Sequence, residues 1–342
     1  MFNTLKKTSL ALLVASTAFI SLSCNKDDPE ADKLGNWYRT GIPNFGGSAR
    51  ARAVSFVIGN KGYIGTGLTN ETVQRVKDFW SYDATTKIWS QVAPFEGSGR
   101  NDAVAFVLSG KAYVGTGFDG VTTVDGGYKK DFYQYDPTTN KWTKKADFAG
   151  GTRQYATAFV TDDRAYVGLG WNGSGYYQDF YEYNAQTDKW TERATFTGGK
   201  RRGALSFTVG GKAYVGFGQT NSGSGTETKD LYSFDPAGNS GTGAWTRMET
   251  NTNDDFPARS NALSLVINDK AYIVGGNAKS DTWEYTPGTN TWIQVATFEG
   301  GQRAFAAGFA IGNTGYLGTG GSITDDFWAF DPTAPVNNDD NL

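Results

Sequence analysis

Six copies of one residue pattern, about 50 residues apart, account for most of this chain of 342 residues. Each copy has a Trp: Trp37, Trp89, Trp142, Trp190, Trp245 and Trp292. Each copy also has an Arg: Arg50, Arg100, Arg153, Arg201, Arg259 and Arg303. An Asp opens a later apolar stretch in each: Asp78, Asp131, Asp179, Asp230, Asp281 and Asp326. A repeat this regular indicates one structural module per copy, stabilised by contact with its neighbours.

Each copy contains four short segments with the character of β-strands. In the second copy, residues 103–108 form a continuous apolar run, which suits a strand buried on both faces. A turn leads to residues 112–115, and after a variable loop the side chains of residues 131–136 alternate between apolar and polar. Another turn leads into a fourth segment through Trp142. The sequence therefore predicts an all-β protein of four-stranded units.

This arrangement resembles the kelch repeat, and the resemblance covers about residues 35 to 332. The double Gly that usually ends the second strand is here mostly Gly-x-Gly, as at Gly65 and Gly67, with a true pair only at Gly275 and Gly276. The resemblance implies a six-bladed kelch-type β-propeller. The Trp of each copy is expected to pack between neighbouring blades.

The two ends of the repeat region complement each other. The last copy runs through residues 326–331 and lacks a fourth-strand Trp, whereas the chain begins with such a strand, carrying Trp37. We therefore expect the N-terminal strand to complete the C-terminal blade and close the ring, which removes exposed strand edges. The predicted organisation is a signal peptide at 1–23, a lipidated Cys and flexible tether at 24–34, the propeller at 35–332 and a disordered tail at 333–342.

The N-terminus has the layout of an export signal. Lys6 and Lys7 precede an apolar run over residues 10–20, and small residues stand just before Cys24. This run is too short for a membrane-spanning helix, which needs roughly 20 apolar residues. The segment ending at Cys24 resembles a bacterial lipobox, which implies lipidation of that Cys and a membrane as partner. An ordinary secreted chain with an incidental Cys is the alternative.

The three residues at 26–28, Lys-Asp-Asp, resemble the acidic signal with which Bacteroidetes export lipoproteins. This resemblance implies an outer-membrane lipoprotein exposed on the cell surface. A periplasm-facing anchor is the alternative.

The composition excludes several classes of function. The chain has no His, and Cys24 is its only Cys, so it has no Ser-His-Asp system, no Cys-His nucleophile, no His-based metal site and no internal disulfide. Galactose oxidase is similar in architecture, but a copper radical oxidase needs His and Cys ligands that this chain lacks. With 32 basic and 35 acidic residues, the chain is not a nucleic-acid binder. We expect no metal, no cofactor and a monomeric propeller.

The candidate ligand residues are those that differ between the copies at equivalent positions. The Arg, Asp and Trp that recur in every copy are interpreted as structural. In kelch propellers, the residues just after the blade Arg and the loops between the second and third strands face one mouth of the central channel. The ligand-binding residues predicted on this basis are Arg52, Asn101, Asp102, Gln154, Tyr155, Trp171, Tyr176, Tyr177, Arg202, Asn261 and Phe305. Further residues at such positions are Asp119, Asn172, Gln219, Ser260 and Asn277.

Two functions fit these residues. Aromatic faces combined with amides and charges suit a sugar or an extended peptide, so the first is a non-catalytic propeller that binds a glycan or a protein at the cell envelope. The second is a carbohydrate mutarotase that resembles the exported, six-bladed sialic-acid mutarotases. No motif carries catalytic residues across from that family, and fold alone does not confer function. A rim that is merely hydrated is the remaining alternative.

Overall fold

The structure, a computed structural model, describes residues 33–69, 74–122, 125–220, 225–249 and 256–340. The predicted signal peptide, Cys24 and all but the end of the predicted tether lie outside these residues. Within the described ranges, no helix is long and apolar enough to cross a membrane.

The described chain forms six four-stranded antiparallel sheets arranged as the blades of a propeller, as predicted. From the innermost strand outwards, blade 1 has Val54–Ile58, Lys61–Gly65, Phe79–Asp83 and Ile88–Val92, and blade 2 has Val104–Leu108, Lys111–Gly115, Phe132–Asp136 and Lys141–Lys145. Blade 3 has Thr157–Thr161, Arg164–Gly168, Phe180–Asn184 and Lys189–Arg193, and blade 4 has Leu205–Val209, Lys212–Gly216, Leu231–Asp235 and Ala244–Arg247. Blade 5 has Leu263–Ile267, Lys270–Val274, Thr282–Thr286 and Thr291–Val295, and blade 6 has Ala307–Ile311, Thr314–Gly318, Phe327–Pro335 and Leu34–Tyr38. Outside the blades lie a strand pair, Arg201–Arg202 with Gln219–Thr220, and two helical turns, Asp125–Gly127 and Gly238–Gly241.

The innermost strand of blade 2 was predicted to be buried on both faces, but the structure buries only one face fully. In Val104–Leu108, residues 104, 106 and 108 are buried, whereas residues 105 and 107 are half-buried. Ala105 borders the central channel, so one face of this strand is not fully covered by protein. It is the second strand, Lys111–Gly115, that is buried over four consecutive residues, because strands of the same blade cover its two edges and neighbouring blades cover its faces.

The Trp of the outer strand packs between blades, as predicted. The indole N–H of Trp142 donates to the carbonyl of Ala93, at the end of the preceding blade, at 3.0 Å. Trp190 and Trp245 make the equivalent bonds to the carbonyls of Ala146 and Ala194, at 3.1 and 3.0 Å. Each bond satisfies a polar group that burial would otherwise leave unpaired, so the Trp both fills the space between blades and fixes their relative position.

The ring closes through the N-terminal strand, as predicted. Leu34–Tyr38 pairs antiparallel with Phe327–Pro335, and Trp37 lies opposite Phe330. The Trp37 side chain is fully buried, stacks on Phe330 at 4.7 Å and donates to the hydroxyl of Thr282 in blade 5 at 3.1 Å. The last blade is therefore built from both ends of the propeller.

The prediction of a disordered tail from residue 333 is wrong for residues 333–340. The third strand of blade 6 continues to Pro335. Beyond it, the carbonyl of Asp340 accepts bonds from the backbone N–H groups of Arg39 and Thr40 at 3.3 and 3.1 Å. The Asp340 carbonyl thus satisfies two backbone donors of the turn that follows the first strand.

The recurring Arg and Asp form one buried ion pair in each blade, which supports their structural interpretation. Each Arg side chain is at most 5% exposed, and its closest contact with the Asp carboxylate is 2.5–2.8 Å. The same guanidinium also donates to a backbone carbonyl at 2.8–3.0 Å. It lies 4.3–4.9 Å from the ring of a Phe that precedes it in the chain. The charge and the two terminal nitrogens of each Arg are thus paired within the described structure, whereas the Nε atoms of Arg153 and Arg201 are buried without a partner.

Candidate functional site

The mouth of the central channel is framed by the second residue after each blade Arg. These six residues are Arg52, Asp102, Tyr155, Gly203, Asn261 and Phe305. All six have φ between 54° and 61°, the left-handed region. Each backbone N–H donates to the carbonyl of the equivalent residue in the preceding blade at 3.0–3.2 Å, so that six hydrogen bonds form a closed circle. Left-handed φ costs a non-Gly residue roughly 1–2 kcal/mol, and such residues cluster at functional sites.

The circle encloses a cavity of about 140 Å³, which we call the mouth cavity. Its remaining lining is the Ala that follows each of the six residues: Ala53, Ala103, Ala156, Ala204, Ala262 and Ala306. Because Ala contributes only a methyl group, the centre stays open, and a further channel of about 260 Å³ continues between the inner strands. The chemistry of the mouth is therefore set by the residues that vary between blades.

Arg52, Asp102 and Tyr155 form a connected polar cluster on one side of the mouth cavity. One Arg52 nitrogen lies 3.2 Å from both Asp102 carboxylate oxygens and also donates to the Tyr155 hydroxyl. The Arg52 guanidinium lies 3.7 Å from the centre of the Phe305 ring. The side-chain amide of Asn101 donates to the Asp102 carboxylate. Residues from three blades thus contact Asp102, and Phe305 of a fourth blade packs against its partner Arg52.

Burial changes the acid–base properties of this cluster. It raises the pKa of Asp102 to about 6, although the Arg52 charge and the Asn101 hydrogen bond act in the opposite direction. Burial and the nearby Asp102 charge raise the pKa of Tyr155 to about 12. Asp102 can therefore exchange a proton near neutral pH, whereas the Tyr155 hydroxyl stays protonated. A carboxyl with a pKa close to the working pH is suited to general acid–base chemistry.

Arg202 lies beside the mouth on a platform of aromatic rings. Its guanidinium is 5.2 Å from the centre of the Trp171 ring, 5.3 Å from that of Tyr176 and 5.5 Å from that of Tyr155. It donates to the side-chain oxygen of Gln219 at 3.0–3.1 Å. Within the described residues no carboxylate lies within 4.0 Å of it, so its charge is available to an anion.

Three residues of this region were not predicted: Arg75, Phe118 and Tyr128. Arg75 donates to the Asn101 side-chain oxygen at 2.6 Å and lies 4.6 Å from the centre of the Phe118 ring. Tyr128 contacts Phe118 and Trp171 at centroid distances of 5.1 and 5.6 Å. The aromatic surface therefore extends over blades 2 and 3. Phe118 follows Gly117 just as Trp171 follows Gly170. Phe118 therefore occupies the same repeat position as the predicted residue Trp171, and this position could have identified it from the sequence.

The structure brings most of the predicted site residues together. Arg52, Asp102, Tyr155, Asn261 and Phe305 line the mouth cavity. The members of the set that contact this lining or the Arg202 platform are Asn101, Trp171, Tyr176 and Arg202.

Two of the predicted residues lie apart from the mouth. Gln154 is buried and pairs through its backbone with Trp171. Tyr177 covers the guanidinium of Arg153 at 3.9 Å. Neither residue lines the mouth cavity, and across the described ranges no three His, Cys, Asp or Glu side chains cluster as metal ligands would.

Comparisons with known proteins agree with this architecture. Residues 147–276 match the family model described as the KLHDC2/KLHL20/DRC7 Kelch-repeats domain, and residues 258–299 match the Kelch motif. A comparison with curated proteins gave no match. Among solved structures, the one titled "Structure of YjhT" is 16% identical, with a TM-score of 0.69 over 88% of this chain and 98% of that chain. At this identity the likeness concerns the fold alone. By strand order, ring closure and repeat motifs, the protein is a six-bladed kelch-type β-propeller.

Proposed function

We propose that this protein is a cell-envelope lipoprotein whose propeller binds an acidic sugar at the channel mouth. The observation that carries the proposal is the set of positively charged and aromatic side chains around the mouth. The Arg52 guanidinium pairs with the buried Asp102 carboxylate, and Arg75 donates to the side chain of the adjacent Asn101. Arg202 lies beside the Tyr155 ring, and among the described residues no carboxylate lies within 4.0 Å of it. Arginine is the residue best suited to recognising a carboxylate, because its planar donors match the two carboxylate oxygens.

The aromatic rings around Arg202 favour a sugar as the carrier of that negative charge. Trp171 and Tyr176 contribute flat aromatic rings, and Asn261 adds an amide group to the lining of the mouth. Binding pockets typically combine such apolar faces with a few well-placed polar groups.

The anchoring part of the proposal rests on Cys24 and the residues around it. Protease treatment of intact cells tests it, since protection until the outer membrane is broken would contradict surface exposure.

Replacing Arg202 tests the binding site. A glycan screen that includes sialylated sugars and uronic acids should identify an acidic ligand of the purified protein. Arg202→Gln should weaken that ligand about tenfold or more, because a hydrogen bond to a charged group contributes about 1.5–3 kcal/mol. Arg202 is preferred to Arg52 for a single substitution, because loss of Arg52 also leaves the buried Asp102 without its cation.

The matched control is Arg247→Gln, which removes an exposed Arg from the outer strand of the same blade. It should leave affinity unchanged. Equal losses in both variants, or an acidic ligand that Arg202→Gln does not weaken, would contradict a site at the mouth. Replacing Arg52 and Arg202 together with Ala should abolish binding.

A second candidate function, catalysis of anomer exchange, is favoured by the Asp102–Tyr155 pair. In ring opening, the Asp102 carboxylate would take the proton of the anomeric hydroxyl while the Tyr155 hydroxyl gives a proton to the ring oxygen. The bond between the anomeric carbon and the ring oxygen breaks, and a carbonyl forms at that carbon. Rotation and reversal of these proton transfers would give the other anomer. Arg52, which contacts both side chains, would hold them in position.

Exchange NMR distinguishes a catalyst from a binder. A catalyst should speed exchange between the two anomers of the bound sugar, with a rate that rises as the pH increases through about 6, where Asp102 loses its proton. Asp102→Asn keeps the shape of the side chain and should lower the rate by roughly 10²-fold or more. Saturable binding without any faster exchange would leave the binding function and eliminate this second one.

A further inference from the structure

A groove of about 430 Å³ lies on blade 3, next to the Arg202 platform. Its lining includes Asn172, Ser174, Tyr176, Tyr177 and Lys200. Tyr176 belongs to both places, because its ring also lies beneath the Arg202 guanidinium at 5.3 Å. The groove is therefore continuous with the Arg202 platform rather than a separate depression on the propeller.

The wall of the groove is held firmly in place. Tyr177 lies against the buried Arg153 guanidinium at 3.9 Å, and the Asn172 amide donates to the Tyr177 hydroxyl at 2.6 Å. The carboxylate of Asp179, which also lines the groove, is bound by Arg153 at 2.6 Å and 2.9 Å. Its charge is thus already matched within blade 3. The wall consequently presents an aromatic surface in a fixed orientation.

The edge of the groove carries a positive charge. Lys200 is exposed, and across the described residues no carboxylate lies within 4.0 Å of its amine. Lys200 thus contributes one cation to the lining, and Arg202, which contacts the Tyr176 ring, contributes a second beside it. A negatively charged or neutral polar chain is favoured here over a basic one.

The mouth cavity alone is smaller than a typical small-molecule pocket, so a larger ligand extends either into the channel of about 260 Å³ below it or over the surface around it. Small-molecule pockets occupy about 300–1,000 Å³, whereas the mouth cavity has only about 140 Å³. The groove alone falls within the usual range. Neither this groove nor a second one of about 460 Å³, beside Phe95 and Trp142, shares a lining residue with the mouth cavity. Of the two, only the groove on blade 3 includes a residue of the Arg202 platform, Tyr176.

We infer that the groove is a second subsite, which holds the next residue of an acidic oligosaccharide whose first acidic unit lies at the channel mouth. The inference rests on the proposed binding function and specifies its ligand class: a chain of at least two sugar residues rather than a free monosaccharide. Tyr176 is the shared residue, because it lines the groove and also contacts Arg202 of the platform beside the mouth.

Titrations of the purified protein with an acidic monosaccharide and with the trisaccharide built from it test the inference. The wild-type protein should bind the trisaccharide about tenfold more tightly, since one aromatic contact and its buried area are worth about 1.4 kcal/mol. Ser174→Trp places a large ring at the exposed edge of the groove and should remove this gain without changing monosaccharide affinity. Lys200→Gln should remove part of it, about twofold to fivefold, as expected for an exposed charge.

Lys189→Gln, in an exposed position of the outer strand of blade 3, is the matched control and should change neither affinity. Melting temperatures show whether each variant is folded. Equal affinities of the wild-type protein for the two sugars would overturn the second subsite and leave the mouth site intact. The same conclusion would follow if both groove variants still bound the trisaccharide about tenfold more tightly than the monosaccharide. If neither sugar binds, the proposed function itself fails.

Discussion

Deleting residues 35–44 is expected to abolish the compact monomeric propeller and give an aggregating protein. The deletion removes the outer strand of blade 6 and the buried Trp37, so Phe327–Pro335 loses its hydrogen-bonding partner. A long unpaired edge is a template for pairing with other chains. Loss of a buried Trp alone costs about 3–5 kcal/mol, which is a large part of the roughly 5–15 kcal/mol that stabilises a typical protein.

A point substitution separates the contribution of Trp37 from that of the backbone. Trp37→Ala should lower stability by about 3–5 kcal/mol, because the ring contacts Phe298 and Phe330 at 4.8 and 4.7 Å and is fully buried. Leu34→Ala, on the same strand but 59% exposed, should change stability by less than about 0.5 kcal/mol. Size-exclusion chromatography and thermal melting measure both effects. An unchanged melting transition in the deletion would overturn the closure of the ring by this strand.

Breaking one blade ion pair is the second large effect that we expect. Arg100 is fully buried, holds both oxygens of Asp131 at 2.5 and 2.9 Å, and donates to the carbonyl of Thr116 at 3.0 Å. Arg100→Ala removes these bonds and the contact with the Phe95 ring, and it leaves the Asp131 carboxylate without its cation. Removing one partner of a buried pair costs about 3–5 kcal/mol.

The control for this prediction is an exposed ion pair of the same blade. Lys144 and Asp147 are 3.8 Å apart, with side chains 62% and 42% exposed, so Lys144→Ala should cost less than about 1 kcal/mol. The midpoints of urea unfolding compare the two variants. A loss in Arg100→Ala no larger than that in Lys144→Ala would show that the ion pairs do not hold the blades together.

The same pairs predict how stability depends on pH. Burial alone would raise the pKa of Asp78, Asp230 and Asp326, but the hydrogen bonds and charge of their Arg partners outweigh it and lower the pKa below its ordinary value. A carboxyl with a lowered pKa in the folded state adds stability above its ordinary pKa of about 4, and this stability is lost as the pH falls below that value. The melting temperature should therefore decrease on acidification from about pH 5 to pH 3.

The repeat determined how much of the fold could be predicted. Because the blade Arg pairs with the blade Asp in every copy and the Trp recurs at one position of the outer strand, their spacing predicts the strand order and the ring closure. The same register located the mouth: Arg52, Asp102, Tyr155, Asn261 and Phe305 occupy one repeated position and converge on one cavity. The spacing does not predict the circle of backbone hydrogen bonds that joins these residues, since each of those bonds runs from one blade to the next.

The parts of the site that were not predicted lie in loops whose lengths differ between the blades. Arg75 and Tyr128 stand in loops of different lengths, so sequence position does not reveal that they meet Asn101 and Trp171. Tyr177 occupies a predicted site loop, yet it covers the blade Arg153 instead of the mouth. The order of the tail is likewise not evident from local sequence, because Asp340 bonds to the turn after the first strand, a contact between residues 300 positions apart.

The measurement that tests the central claim most directly is a titration of the purified protein with the tightest acidic sugar from the glycan screen and with the methyl ester of that sugar. The two ligands differ in the negative charge of one carboxylate. We expect the acid to bind at least about tenfold more tightly than the ester, and Arg202→Gln to reduce that difference. Equal affinities for acid and ester, or no acidic sugar that binds, would contradict recognition of a carboxylate at the channel mouth.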